Sequence, residues 1–365
     1  MKKALLISLA AVLAISLTVV GCGGTPPEGE YTTIELVTHT HVPQGSMFNL
    51  LVEWFEGNVT AQTDGAVTFE NHFLQTLVSG TEAAEAMETG LIDFGMLVPA
   101  YTPSLFPLNF ASFAFPFKPT SLATEVAVEW QLREEFPDAF SEEWDDMGIK
   151  VLYLGGGTDY GILARVPVGN LTDFEGLRVA QLGGYFAQWT PAAGIVPVTG
   201  LTQPERYEQL RTGVIDGSLL PPSGHLDGSE YEVADHLIML GIGAPTPLFQ
   251  CINIDVWNSL NEATQNVFLE VAEQVMTDHA EASDAALLDD IQGLIDNGVT
   301  YYGYLTQNET ATWAAACPDT VTAMGESLEA EYPEIWDIID RKVCLSEEMG
   351  HVWPSEFPSY NVTCS

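Results

Sequence analysis

Apolar and polar positions along the chain switch repeatedly between the two-residue period of strands and the longer period of helices. Residues 32–41 alternate as a strand does, and Met47 to Val59 fits an amphipathic helix. Residues 65–73 suit a second strand, a helix is predicted from Thr81 to Thr89, and residues 92–100 suit a third strand. Strands and helices in this order predict an α/β lobe with a mostly parallel sheet.

The same order starts again in the middle of the chain. Residues 149–155 and 176–182 are predicted strands, Gln203 to Arg211 is a predicted helix, and residues 214–220 lead into another strand. Two successive α/β patterns of this length predict two lobes.

A five-residue segment, Thr-Gly-apolar-Ile-Asp, occurs once in each pattern, starting at Thr89 and at Thr212. A helix often ends on a glycine that takes the left-handed conformation, and the apolar residues after it suit a buried strand. We therefore expect the same helix-to-strand junction in both lobes. Ligands of open α/β sheets bind beyond the carboxyl ends of the strands, so the two lobes are expected to share a cleft there.

The longest helical pattern runs from Glu262 to Asp296. Ser259 with Glu262 predicts a capping box at its start, and Asn297 with Gly298 predicts its end. Such a helix is about 50 Å long, which exceeds one small lobe. It is therefore predicted to span both lobes.

The first 21 residues have the order typical of a signal peptide. Lys2 and Lys3 precede an apolar run from Ala4 to Val20, which ends in Val-Val-Gly-Cys at Cys22. This ending is similar to a bacterial lipobox, and the alternative is an uncleaved anchor. We expect cleavage before Cys22, acylation of that residue, and a flexible tether over residues 22–31. The predicted location is periplasmic or at the cell surface, with the membrane reached only through the lipid.

Acidic residues outnumber basic ones, with 51 Asp and Glu against 11 Lys and Arg and a formal net charge of −40. A surface this acidic argues against nucleic acid as a partner and against adhesion to anionic lipid heads. A solvated acidic coat suited to a salty habitat is the simplest explanation.

Four cysteines follow Cys22, at Cys251, Cys317, Cys344 and Cys364. They lack CxxC spacing and clustered histidines, which argues against a zinc site. An exported chain can form disulfides, and the pairing that we expect is Cys317 with Cys344.

Six segments occur in the order seen in one protein family: HVPQGS, ETGLIDFGM, FPFK, DFEGLRV, QLRTGVIDG and VWNSLNEATQNVF. Over residues 33 to 300 the chain resembles the solute-binding proteins of TRAP transporters, of the DctP type. The resemblance implies a two-lobed, periplasmic-binding-protein-like α/β fold with a long helix spanning both lobes. It also implies a cleft that closes on a small organic solute, usually an organic acid, a membrane carrier as partner, and no cofactor or metal.

The resemblance also suggests a division of the chain. Residues 32–155 and 244–280 are predicted to form lobe I, and residues 156–243 and 281–345 lobe II. Residues 346–365 are predicted to be a C-terminal tail.

This sequence departs from the family at three polar ligand positions. The family arginine that holds a ligand carboxylate, two residues after a GLK or GLR step, falls on Ala180. A second family arginine falls on Asp159, and a family asparagine falls on Leu220. These changes favour a ligand less acidic than a C4-dicarboxylate, unless Arg178 or Arg165 replaces the missing arginine.

Other candidate ligand residues come from strand ends or from family positions. His41 follows the first strand, and Tyr101, which could stack on a ligand, follows the third. Gln181 and Ser218 occupy family positions. The alternatives are ordinary loop residues at His41, a core position for Tyr101, and a turn-capping role for Asp159.

Two other functions remain open. Ser223 and His225 would be needed for a secreted hydrolase, but the Gly-x-Ser-x-Gly motif is absent and adjacent residues do not form a triad. A binding protein that serves an ABC importer or a sensor kinase would have the same sequence features.

Overall fold

The computed structural model describes residues 30–245, 247–360 and 362–364. The predicted signal peptide, Cys22 and most of the predicted tether lie outside these residues. Within the described ranges, no helix is both long enough and apolar enough to cross a membrane.

The described residues form two sheets surrounded by helices. The strands, in chain order, are β1 (Ile34–His39), β2 (Val67–His72), β3 (Phe94–Leu97), β4 (Ile149–Gly155), β5 (Gly161–Ala164), β6 (Arg178–Ala180), β7 (Val196–Val198), β8 (Gly217–Leu220), β9 (His236–Met239), β10 (Leu248–Asn253) and β11 (Thr300–Tyr304). The helices are α1 (Met47–Gln62), α2 (Ala83–Glu88), α3 (Pro107–Phe110), α4 (Leu122–Glu135), α5 (Pro137–Asp146), α6 (Phe186–Trp189), α7 (Gln203–Thr212), α8 (Pro222–Asp227), α9 (Ile254–Ser259), α10 (Glu262–Asp296), α11 (Gln307–Ala316), α12 (Thr320–Leu328) and α13 (Ile335–Glu348).

Both sheets combine parallel and antiparallel strands. The first has the order β2-β1-β3-β10-β4 and the second the order β11-β9-β5-β8-β6-β7. In each sheet, three strands form a parallel unit, β2-β1-β3 in the first and β7-β6-β8 in the second. The strands β5 and β10, which the chain enters after crossing from one sheet to the other, run antiparallel to their neighbours. The predicted two-lobed α/β fold is confirmed, with sheets that are mixed because of these crossings.

The duplicated Thr-Gly segment ends a helix in the same way in both parallel units. Gly90 after α2 and Gly213 after α7 have φ values of 75° and 76°, in the left-handed region that glycine adopts without strain. The hydroxyl of Thr89 donates to the carbonyl of Glu85, and that of Thr212 to the carbonyl of Glu208. The predicted helix-to-strand junction is therefore present twice.

The aspartate that closes each copy joins the junction to the neighbouring strand. The Asp93 carboxylate accepts from the Val37 amide at 2.8 Å, and the Asp93 amide donates to the Val37 carbonyl at 2.9 Å. Asp216 makes the same two bonds with Arg178, at 2.9 Å and 2.8 Å. Arg178 thus occupies in the second sheet the position that Val37 has in the first.

The long helix α10 has the bounds that its sequence pattern predicts and spans both lobes. It contacts α1 and α4 beside the first sheet and α8 and β11 beside the second. The predicted Ser259 capping box is wrong, because the Asn261 side chain accepts from the Thr264 amide at 2.9 Å and caps the helix instead. At the other end, Gly298 has a φ of 98°, as expected for a helix stop.

The strands of each sheet lie within the ranges that the sequence assigned to lobes I and II. The helices α3 to α5, however, pack toward both sheets: Leu122 and Val126 lie in the core beside the first sheet, whereas Phe113 and Leu132 share a core with residues of the second sheet and of the C-terminal helices. These helices therefore bridge the two lobes.

The C-terminal segment packs against the rest of the protein, although it is irregular. Trp353, Phe357 and Tyr360 are buried in the same core as α4 and α13. A disulfide joins Cys344 of α13 to Cys364.

The predicted pairing of Cys317 with Cys344 is wrong. Because the tail folds back along α13, Cys344 meets Cys364 and not Cys317. The thiol of Cys317 is free and lies 3.9 Å from the carbonyl oxygen of Trp189.

Glu56 of α1 is a buried carboxylic acid that makes stability depend on pH. Burial raises the pKa of Glu56 from its ordinary 4.5 to about 7, although the hydrogen bond from Asn71 opposes the shift. A folded pKa above the unfolded one means that stability is greatest below about pH 4.5 and falls as the pH rises toward 7. We expect Glu56→Gln to gain about 2–3 kcal/mol over wild type between pH 5 and pH 8. Urea unfolding at several pH values measures this.

The control for the loss of one charge is Glu88→Gln, at an exposed position at the end of α2. Stability curves of wild type and Glu56→Gln that stay parallel from pH 5 to pH 8 would contradict the expectation.

Candidate functional site

The carboxyl ends of the parallel strands in the two sheets face one another. Phe48 of α1, beside the first sheet, and Pro221, which follows β8 of the second, both lie within 3.4 Å of the position that a Cβ would take on Gly157. Glycine therefore allows the two lobes to approach closely at the crossing after β4. We call the region between these strand ends the inter-sheet site, which includes Phe48, Tyr101, Tyr160, Arg206 and Leu220.

The first sheet contributes aromatic and imidazole side chains. The rings of His41 and Tyr101 meet edge to face with centroids 5.1 Å apart. Burial lowers the pKa of both His39 and His41 to about 4, so both rings are neutral at pH 7. Neither ring nitrogen of the buried His39 has a hydrogen-bond partner among the described residues. A neutral imidazole can donate one hydrogen bond and accept another, so these groups suit a polar ligand.

The second sheet contributes a phenol and a guanidinium. Burial raises the pKa of Tyr160, in the loop before β5, and that of Tyr101, whereas the positive charge of Arg206 lowers both. The charge of Arg206, on α7, therefore acts on Tyr101 beside the first sheet and on Tyr160 beside the second.

Four residues named from the family pattern lie at the ends of β6 and β8. Ala180 is fully buried and is the strand neighbour of Ser218. Leu220 ends β8 and is half-buried. The Gln181 side chain donates to the Thr190 hydroxyl at 2.9 Å, and its carbonyl oxygen has no partner among the residues described.

Asp159 is fully buried and binds the second crossing between the sheets. Its carboxylate accepts from the amides of Gly241 and Gly243, both at 3.0 Å. Burial raises the pKa of Asp159 to about 7, although these amides oppose the shift. The carboxylate therefore caps the distant crossing loop, and not the local turn after the three glycines that the sequence suggested.

Arg178 and Arg165 lie at the opposite ends of the strands. Arg178 is exposed and bonds through Nε and Nη2 to the carboxylate of Asp216, at 2.9 Å and 2.8 Å. The Arg165 amide donates to the Asp216 carbonyl, before β8 begins. Leu220 is four residues further on, about 13 Å along an extended strand. Neither arginine is therefore placed to replace the family arginine in the inter-sheet site.

The residues considered for a hydrolase serve the fold around α8. His225 is buried, with Nδ1 2.7 Å from Glu230 and Nε2 3.4 Å from the carbonyl oxygen of Gly161. Within the described ranges, no group of three or more His, Cys, Asp or Glu side chains is placed to hold a metal ion.

A hollow of about 490 Å³ lies outside the inter-sheet site. It is lined mainly by acidic residues of α5 and of the loop before α13, among them Asp138, Glu142, Asp145 and Glu334. None of these residues belongs to a strand end of either sheet.

Comparison with known proteins identifies the family. The model of DctP, the bacterial extracellular solute-binding protein family 7, matches residues 38–327. The chain belongs to this family. The DctP-type resemblance noted in the sequence is therefore confirmed.

Two curated relatives are similar over most of their length. The C4-dicarboxylate-binding periplasmic protein DctP of Rhodobacter capsulatus is 27% identical over 283 residues, which are 76% of this chain and 82% of that protein. The ectoine-binding periplasmic protein TeaA of Halomonas elongata is 24% identical over 260 residues, 70% and 72% of the two chains.

A solved structure shares the fold. It is a marine metagenome TRAP solute-binding protein specific for aromatic acid ligands, in complex with 3-hydroxybenzoate, with a TM-score of 0.78 and 19% identity. The match covers 87% of this chain and 99% of that one.

Phe48, Tyr160 and Arg206 are the site residues that reasoning from the sequence of this DctP-family chain missed. A usable signal was present for Arg206, because it lies four residues before Leu210 in α7 and so shares its helix face. Leu210 is fully buried. A basic residue on the buried face of a helix, in a chain with only 11 basic residues, was a candidate for a specific role.

Proposed function

We propose that this protein is the extracytoplasmic receptor of a TRAP-type transporter and that it captures a small organic solute in the inter-sheet site. The observation that carries the proposal is that the strand ends of the two sheets meet beside Gly157, where Phe48 and Pro221 both lie within 3.4 Å of the Cβ position. The positive charge of the buried Arg206 also lowers the pKa of Tyr101 and of Tyr160, which come from opposite sheets. Polar groups that converge from two lobes suit a ligand whose binding holds the lobes together.

The relatives support this use of the fold. The proteins compared above bind ectoine, a C4-dicarboxylate and 3-hydroxybenzoate, so the choice of solute depends on the residues that line each site. For this chain we propose His41, Tyr101, Gln181 and Leu220 as ligand contacts. We propose that Ala180 and Ser218, which are neighbours on adjacent strands, also line the site. Asp159 and Arg178 are left out because their side chains bind the crossing loop and Asp216.

The proposed partner is the membrane part of a TRAP carrier, which would receive the solute from the closed receptor. We propose an extracytoplasmic location with a lipid anchor at Cys22. The lipid anchor rests on the sequence pattern alone.

The function is tested by identifying a bound solute and then measuring closure. Native mass spectrometry of the purified protein should show a small molecule that is released on unfolding. Adding that molecule back to ligand-free protein should lower the radius of gyration in X-ray scattering, because hinge closure around a ligand compacts the particle. A protein that carries no small molecule and does not compact with any organic acid tested would contradict the proposal.

Tyr101→Ala tests the site itself. The variant should bind the identified solute at least about tenfold more weakly, because it loses a phenol that packs against His41 at the site. Tyr302→Ala, on the edge strand β11, is the matched control and should bind as wild type does. Equal loss in both variants would count against the inter-sheet site.

A further inference from the structure

Arg206 is a buried cation without a carboxylate partner in the part of the chain that the structure describes. Its exposed fraction is 6%, yet no described carboxylate oxygen lies within the 4.0 Å of an ion pair. The other buried cations, Lys118 and Lys342, both pair with Glu125. Burying a charge is unfavourable unless it is paired, so an unpaired guanidinium indicates an anion that the chain does not supply.

The contacts of Arg206 hold the guanidinium in place without neutralising it. Nη1 lies 3.3 Å from the carbonyl oxygen of Leu219 and 3.5 Å from the hydroxyl of Ser218, and Nε lies 3.4 Å from the carbonyl oxygen of Leu201. These are uncharged acceptors. Nη2 donates to no group among the described residues, and its two N–H bonds remain for a ligand.

The carboxylate that shares Ser218 with Arg206 is Glu230, and both its oxygens are already engaged. Oε1 accepts from the Ser218 hydroxyl at 3.2 Å, and Oε2 lies 2.7 Å from Nδ1 of His225. Glu230 therefore binds Ser218 and His225 and forms no ion pair with Arg206.

The position of Arg206 corresponds to the missing family arginine. Ser218, which it contacts, is the strand neighbour of Ala180. The guanidinium of Arg206, on α7, thus lies beside position 180 of β6, where other family members have an arginine. The methyl group of Ala180 leaves room that an arginine side chain would fill, so the change at position 180 and the arginine at position 206 are complementary.

We propose that Arg206 binds the carboxylate of the solute, and that the solute is a small monocarboxylate whose remaining part is uncharged. This rests on the proposed receptor function. One buried cation without a carboxylate partner matches one carboxylate, and the remaining groups, such as Leu220, Phe48 and the neutral His41, suit an apolar or hydroxylated remainder. The sequence predicted a ligand less acidic than a C4-dicarboxylate, and this proposal specifies a ligand with a single carboxylate.

The first test uses wild-type protein and pairs of probes. Ligand-free protein, refolded after removal of any bound solute, is titrated by calorimetry with 3-hydroxybenzoate, pyroglutamate and glucuronate, and with the primary amide of each. We expect at least one acid to bind, and its amide to bind about 30-fold more weakly or worse, because the charged hydrogen bonds to Arg206 are lost. Succinate should bind more weakly than the best monocarboxylate, since its second carboxylate meets no free cation.

The second test uses Arg206→Gln, Arg206→Lys and the control Arg178→Gln, an exposed arginine at the far end of the same sheet. Arg206→Gln should weaken binding of the acid about 30-fold or more and leave binding of the amide unchanged. The affinity of Arg206→Lys for the acid should lie between those of wild type and Arg206→Gln, because a lysine keeps the charge but loses the two-pronged geometry. Arg178→Gln should bind the acid within twofold of wild type.

The outcomes separate this inference from the receptor function. Equal affinity for acid and amide, or an unchanged affinity in Arg206→Gln, overturns the role of Arg206 and leaves a receptor for a different solute class. A wild-type protein that carries a neutral solute and binds none of the acids also overturns the role of Arg206 but not the receptor function. A protein that carries no small molecule and binds no probe overturns both. The acid–amide comparison decides the matter even if Arg206→Gln does not fold.

Discussion

Replacing Lys342 with methionine is expected to lower the free energy of unfolding by about 3–5 kcal/mol. Lys342 of α13 is buried and bonds to two carboxylates of α4, Glu125 at 2.9 Å and Glu129. Removing the ammonium leaves both carboxylates buried with less compensating charge. Lys118 and Arg133 remain as their other partners, so the loss is large without exposing either carboxylate.

The measurement is chemical denaturation at pH 7. Arg211→Met is the matched control, because Arg211 is exposed and its ion pair with Glu208 is screened by solvent. A loss below 1 kcal/mol in Lys342→Met would show that the buried charges are not coupled as described.

Gly243→Ala is expected to destabilise the protein by about 2–5 kcal/mol, from backbone strain together with overpacking. Gly243 lies in the crossing between β9 and β10 with a φ of 104°. A Cβ there would lie 2.6 Å from the carbonyl oxygen of Lys118 and 2.4 Å from its Cγ, so the backbone of one segment must move. Because the Asp159 carboxylate also binds the Gly243 amide, the displacement should reach the first crossing as well.

Gly298→Ala separates the two causes. Gly298 has a similar φ of 98°, but nothing lies within 4 Å of its Cβ position. The control should therefore show the backbone strain alone, about 1 kcal/mol. Thermal unfolding and solute titration of both variants measure the difference. If the two variants lose the same stability, close contact at the crossing is not what requires glycine at position 243.

The scarcity of positive charge makes the few cations informative. Lys118, Arg206 and Lys342 are the buried Lys and Arg residues in the described ranges, and two of them neutralise carboxylates between α4 and α13. The third, Arg206, faces the inter-sheet site. Buried cations therefore stabilise the contact between helices in one place, and in the other provide the proposed partner of the solute carboxylate.

The candidate site could be predicted from the sequence only in part. His41 and Tyr101 were found because they follow strands, and the carboxyl ends of parallel strands meet at one edge of a sheet. Arg178 is a candidate for the replacement clamp from the sequence, because residues two apart on a strand point to the same side, as Arg178 and Ala180 do. That reasoning ignored the position along the strand, where Arg178 is at the wrong end and bonds to Asp216.

Asp159 is a second residue whose role could not be predicted from the sequence. An alignment without gaps placed it at a ligand position, and its chemistry suited either a ligand contact or a turn cap. Its carboxylate binds amides 82 and 84 residues further along the chain, in a loop that no local pattern connects with it.

The sequence by itself determined several of the elements, the two-lobed order and the family. Helix α10, strand β4 and both Thr-Gly junctions have the bounds or stops that their patterns predict, because periodicity, caps and glycine stops depend on residues a few positions apart. Only the tertiary structure decided that Cys344 pairs with Cys364, that Arg178 is exposed and that Arg206 is buried beside Ala180. Those outcomes depend on which distant segments pack together, and the free energy of a buried charge or a disulfide is set by those neighbours and not by the residue's own stretch of chain.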